Sequence, residues 1–72
     1  MTPKEFDAIA VLISSREPAK SAARLVLIHG KGVTESAKEY GITRQSVSNT
    51  LKRFRSADKI IRTGYKIKSN SA

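Results

Sequence analysis

One short stretch of the chain concentrates side chains that can recognise a ligand edge by hydrogen bonding. Arg44, Gln45, Ser48, Asn49 and Lys52 follow one another with no acid between them. Wound into a helix, Gln45, Ser48, Asn49 and Lys52 fall at i, i+3, i+4 and i+7 and share one stripe. A guanidinium presents two donors that fit the paired acceptors on the major-groove edge of guanine. A carboxamide presents a donor beside an acceptor and fits adenine. These residue types at this spacing make Arg44, Gln45 and Asn49 candidates for reading bases in double-stranded DNA, with Ser48 as a lesser one.

Reading bases also requires groups that hold the phosphate backbone. Thr34 and Thr43 qualify through their hydroxyls and the unsatisfied N–H groups of the helices they are expected to start. Lys52, Arg53 and Arg55 lie further along the same segment, placed to reach a flanking strand. Lys59, Arg62, Lys66 and Lys68 follow in the tail as holders of phosphate or probes of a minor groove. Each tail cation also has the ordinary reading of a solvated surface charge.

Such a face needs elements to position it. Thr34 is expected to cap a short helix, Glu35 to Tyr40. Gly41 supplies a positive-φ turn, Ile42 plugs the core, and Thr43 caps a further helix from Arg44 to about Arg55. Two helices crossing through a tight turn need a small residue where they meet, which Ala37 supplies. They also need apolar residues returning from the second helix, and Val47, Leu51 and Phe54 recur at i, i+4 and i+7. These spacings are mutually consistent and predict a helix-turn-helix over about 34–55. An ordinary helical hairpin is the plain alternative.

Upstream, Thr2-Pro3-Lys4-Glu5 carries a capping box with proline at the first helical position, and Phe6, Ile9, Ala10 and Ile13 follow at helical spacing. A second helix is expected from Glu17 or Pro18, with Ala19, Ala22, Ala23, Leu25 and Val26 apolar and Gly30 in a left-handed terminal position. His29, the sole histidine, falls in its last turn, where partial positive charge is favoured.

The tail admits two readings. Lys59 to Arg62, Thr63-Gly64 and Tyr65 to Lys68 form a short β-hairpin wing, with Tyr65 and Ile67 alternating with Lys66 and Lys68. Alternatively the fourth helix continues, or a fifth begins, through Ile61, which extends the Val47-Leu51-Phe54 stripe, and Thr63-Gly64 ends it. The hairpin is preferred. The expected fold is mainly α: one domain over 1–68 of four to five helices with a helix-turn-helix and this wing, then an unstructured 69–72.

At Gly-Ile-Thr-Arg-Gln-Ser-Val-Ser-Asn-Thr-Leu, residues 41–51, the chain resembles the recognition region of TrfB/KorA-like repressors of conjugative plasmids. Their pattern is Gly-Leu-Thr-Arg/Lys-x-x-Val-Ser-Gln-Ala-Val. The likeness extends weakly to the Thr-x-x-x-Phe start, to Ala22 through Ile28, and to Gly64-Tyr65, covering about residues 1–67. It implies operator binding as a dimer and repression of plasmid genes, with Thr43, Arg44 and Gln45 beginning the recognition helix and Ser48 and Asn49 following. KorA-like proteins continue into a C-terminal dimerisation region, whereas this chain runs only to Ala72.

Composition narrows the alternatives. Seventy-two residues suit one domain with a modest core. Of the net charge of +8, residues 1–40 carry six Lys/Arg against five acids, and residues 41–72 carry eight against Asp58 alone. The second half is thus suited to a polyanion. With no cysteine and scattered acids, neither thiol chemistry nor a metal centre is expected, and no cofactor, small-molecule ligand or enzyme activity. The longest apolar runs, 8–13 and 25–28, fall short of a membrane span, and the start does not read as a signal peptide. A bacterial cytoplasmic protein is expected.

The leading reading is a sequence-specific repressor acting by promoter occlusion. One short helix reads few base pairs, so a homodimer on an inverted repeat is the simplest remedy. Ile60, Ile61, Tyr65 and Ile67 are either its contact surface or a cover for the base of the bundle. The competing reading is a basic protein- or RNA-binding module without sequence-specific DNA readout.

Overall fold

A computed structural model describes the backbone of residues 1–71 and the side chains of residues 1–63. Among the described residues the chain is mainly helical. Four helices follow in order: α1 (Pro3–Leu12), α2 (Ala19–Leu27), α3 (Val33–Tyr40) and α4 (Arg44–Ser71).

Each start and stop has a local cause. Thr2 caps α1 reciprocally with Glu5: the Glu5 amide donates to Thr2 Oγ1 at 3.2 Å and the Thr2 amide to Glu5 Oε1 at 2.9 Å. The turn after α1 places Ser14 at φ 54, a conformation that side chains other than glycine rarely adopt. Gly30, after α2, takes φ 69 as expected from its type. Helix α3 starts two residues earlier than the sequence expectation. Its N-cap is Gly32, which offers no side-chain acceptor, and Thr34 lies inside the first turn rather than capping it.

The core joins all four helices. Phe6, Ile9 and Ala10 come from α1, Ala22 and Ala23 from α2, Ala37 from α3, and Val47, Leu51, Phe54 and Ala57 from α4. Half of these ten residues are alanines, which allow the helix backbones to approach closely. The two large rings, Phe6 and Phe54, stack with centroids 4.4 Å apart and planes within 10°. Arg24 covers the outer side of Phe6 at 4.8 Å and pairs with Asp7. Ile13, Val26, Leu27, Ile28, Val33 and Ile42 close the margins.

The tail overturns the preferred sequence reading. Residues 59–68, expected as a hairpin wing, lie within α4, and no strand occurs among the described residues. Helix α4 therefore runs well past Arg55. An isolated two-stranded hairpin is marginal without a covering layer. A helix already nucleated gains one hydrogen bond for each residue it adds. Gly64 costs that extension about 1 kcal/mol, less than a break followed by a new element. The two-member alternation at Tyr65 and Ile67 is too short to outweigh this. The segment 69–71, expected as an unstructured end, forms the last residues of α4, and Ala72 lies outside the described residues.

At 28 residues α4 is about 42 Å long. It accounts for most of the molecule's 47 Å longest dimension. Among the residues whose side chains are described, its last buried position is Ala57; Ile60 is 70 % exposed and Ile61 45 %. No described helix is long and apolar enough to cross a membrane.

Candidate nucleic-acid interface

The site is built on the junction between α3 and α4. Gly41 ends α3 at φ 64, and the turn is closed by two bonds, from the Ile42 amide to Ala37 O at 3.0 Å and from the Gly41 amide to Lys38 O at 3.3 Å. This leaves only Gly41, Ile42 and Thr43 between the helices. Ile42 packs against the core, and Thr43 caps α4 by accepting from the Ser46 amide at 3.1 Å. The Thr43 hydroxyl proton stays available to donate outward.

With Val47, Leu51 and Phe54 committed to the core, helical geometry turns other positions out. Arg44, Gln45, Asn49 and Lys52 are exposed and Ser48 is half-buried. Gln45 Nε2 donates to Asn49 Oδ1 at 3.0 Å, one turn further along. Thr50 takes no part in this face: it is buried and donates back to Ser46 O at 3.0 Å.

Beside this face is an open cleft of about 520 Å³ lined by Val33, Thr34, Thr43, Arg44, Gln45 and Ser48. It lies where the first turns of α3 and α4 converge. The first-turn amides of both helices have no carbonyl partner within their helix, and each helix carries partial positive charge at that end. The cleft therefore favours an anion. Thr34 belongs to it through its place in the first turn of α3, not through capping. Val33 and Glu35 were not singled out from sequence. Val33 lines the cleft because α3 begins two residues early. Glu35 lies in the first turn of α3 and complements its dipole, but adds a negative charge beside Thr34. The first turn of α4 contains no acid.

The backbone-holding candidates divide. Lys52 and Arg55 are exposed on α4 at i and i+3, with Lys59 one turn beyond. Arg53 points elsewhere, donating to Ile13 O at the end of α1. Arg62 is also occupied. Its Nε bonds both carboxylate oxygens of Asp58 at 3.1 and 3.0 Å, and its guanidinium lies 3.6 Å from Glu5. The Asp58 hydrogen bond and charge, then the Glu5 charge, raise the Arg62 pKa. Lys66 and Lys68 lie outside the residues whose side chains are described. Tyr65 and Ile67, candidates for a contact surface, share that position. His29 is exposed just past α2, away from the cleft.

No known protein family, curated protein or solved structure matches the chain.

Proposed function

We propose that the chain is a sequence-specific DNA-binding repressor in which α3, the 41–43 turn and the start of α4 act as a helix-turn-helix. The first turns of α4 enter the major groove. The observation that carries this reading is the acid-free, solvent-facing run from Arg44 to Lys52, held outward by burial of Val47, Leu51 and Phe54. Arg44 reads guanine, the carboxamides of Gln45 and Asn49 read adenine, and Ser48 adapts to either. The cleft shared by the α3 and α4 starts receives one phosphate, with the Thr34 and Thr43 hydroxyls as donors. Lys52, Arg55 and Lys59 continue along α4 and neutralise phosphates beyond the bases being read. The resemblance of residues 41–51 to TrfB/KorA-like repressors supports the same reading, including action on plasmid promoters in the bacterial cytoplasm.

One helix of this kind reads too few base pairs for a unique address, so two copies act on an inverted repeat. Exposed Ile60 favours a second copy as the cover for that part of α4. Ile61 is partly used within the chain, sharing a shallow hollow with Ala8 and Ile9 of α1. Bound over a promoter, the dimer excludes polymerase, and occupancy follows protein concentration.

Footprinting on the DNA upstream of the protein's own gene tests this reading. A discrete, two-fold symmetric protected site is expected. Protection without sequence preference, or binding only to RNA or to another protein, would contradict it.

A further inference from the structure

The side chains of Gln45 and Asn49 are joined before any DNA arrives. A primary amide has two N–H donors and one carbonyl acceptor. The Gln45–Asn49 bond consumes one Gln45 N–H and occupies the Asn49 carbonyl. Gln45 Oε1 remains as the free acceptor, and the Asn49 amide nitrogen, which has made no bond, as the free donor. Turning both amides over reverses the bond but leaves the same kind of set, one unbonded carbonyl and one unbonded NH2 from neighbouring side chains, besides the second N–H of the donating amide. Both residues are exposed, so this set faces solvent.

Among the four bases, only adenine shows a donor, N6–H, beside an acceptor, N7, on its major-groove edge. Guanine shows two acceptors, cytosine a donor, and thymine an acceptor beside a methyl group. Against the N7–O6 edge of guanine, the free carbonyl would meet an acceptor and both would lose water without a partner; a G·C pair offers an acceptor beside a donor only across two bases, at O6 and the cytosine N4–H. With the bond intact Gln45 still holds a free carbonyl and a second N–H and could read an adenine alone, whereas Asn49 has its carbonyl engaged. The two side chains share one adenine when Gln45 Oε1 accepts from N6–H and the Asn49 amide donates to N7. Kept intact, the bond fixes two flexible side chains in advance and reduces the entropy lost on binding.

We propose that Gln45 and Asn49 read a single A·T base pair as one hydrogen-bonded unit, a specificity element that rests on α4 being the recognition helix. Arg44 is outside the unit and reads its guanine independently.

The test selects a preferred duplex from a random pool with the wild-type chain. Affinities for it are then measured with Gln45→Ala, Asn49→Ala and the double variant, using sites that carry A·T→G·C at each position in turn. Circular dichroism checks helix content, which exposed substitutions should leave unchanged. Either single substitution is expected to remove the same one adenine preference, by on the order of tenfold. The double variant should be no worse than the singles within about twofold, because the unit is already broken. The guanine preference set by Arg44 should survive in all three. Relaxation of two different positions, with losses that multiply in the double variant, overturns the paired reading while leaving α4 as the recognition helix. A wild-type chain that selects no sequence overturns that underlying reading as well.

Discussion

The two sides of α4 between Arg44 and Ala57 obey different rules within the same four turns. Val47, Leu51, Phe54 and Ala57 face in and are buried, and each is fixed by the volume around it. Gln45, Asn49, Lys52 and Arg55 face out, touch little of the rest of the chain, and are constrained by hydrogen-bonding capacity. A side that stabilises the fold and a side free to serve a ligand should respond to substitution separately. Inward changes should alter stability first. Outward changes should alter binding with stability preserved.

The largest expected effect is on the inward side. Phe54→Ala removes half of the Phe6–Phe54 stack and should destabilise the chain by about 3–5 kcal/mol. For a chain this small that is most of its stability, and urea unfolding would show it directly. Loss below 1 kcal/mol would mean that the rings do not form the centre of the core. On the outward side, Arg44→Ala should weaken binding to a preferred duplex by about 1–3 kcal/mol and relax one guanine position. Its melting temperature should stay close to that of the wild type. A comparable fall in stability would erase the distinction between the two sides.

Two smaller changes sharpen it. Ser36 lies fully buried in α3 with no hydrogen-bond partner for its hydroxyl. Ser36→Ala should therefore stabilise the chain, by about 1 kcal/mol, read as a higher urea midpoint. Replacing Lys52 and Arg55 together by Ala should lower the slope of log affinity against log salt by about 2, without changing which sequence is preferred. A change in preferred sequence would move these two residues from the backbone to the bases.

The smallest effect is on pH dependence. The Thr2 amide, which donates to the Glu5 carboxylate, with the neighbouring Thr2 side chain and the weaker pull of the Arg62 charge, holds the Glu5 pKa below the usual value. A lowered folded-state pKa means that the cap's contribution is complete above the ordinary glutamate range and is lost as pH falls through and below it. Acid titration of Glu5→Gln against the wild type should show the two stability curves converging at low pH. Curves that stay parallel would show that the cap does not depend on ionisation.

The inward side was readable from sequence because period 3.6 is a strong signal over several turns: Val47, Leu51 and Phe54 sit where spacing put them. The turn was equally readable, since only a residue tolerant of positive φ suits position 41. The length of α4 was not. Gly64 and a brief alternation mimic a hairpin, and local pattern carries no information on whether a second layer exists to support one. Nor was the start of α3, where Gly32 caps with backbone alone and Thr34 offers the more familiar cap chemistry. Arg53 illustrates a third limit. Its charge matches its neighbours, and only the position of the α1 carboxyl end, brought close by packing, directs it to Ile13 O. The Gln45–Asn49 bond was half readable: i, i+4 spacing permits it, but the side-chain rotamers decide it.

The most direct test of α4 as the reading element is the change in backbone amide NMR shifts of the labelled chain on adding a preferred duplex at physiological salt. The largest shifts should fall between Thr43 and Lys52 and at Val33 and Thr34, with α1 and α2 nearly unmoved. Shifts concentrated on α1 or α2, or spread evenly over the basic residues irrespective of duplex sequence, would contradict the account.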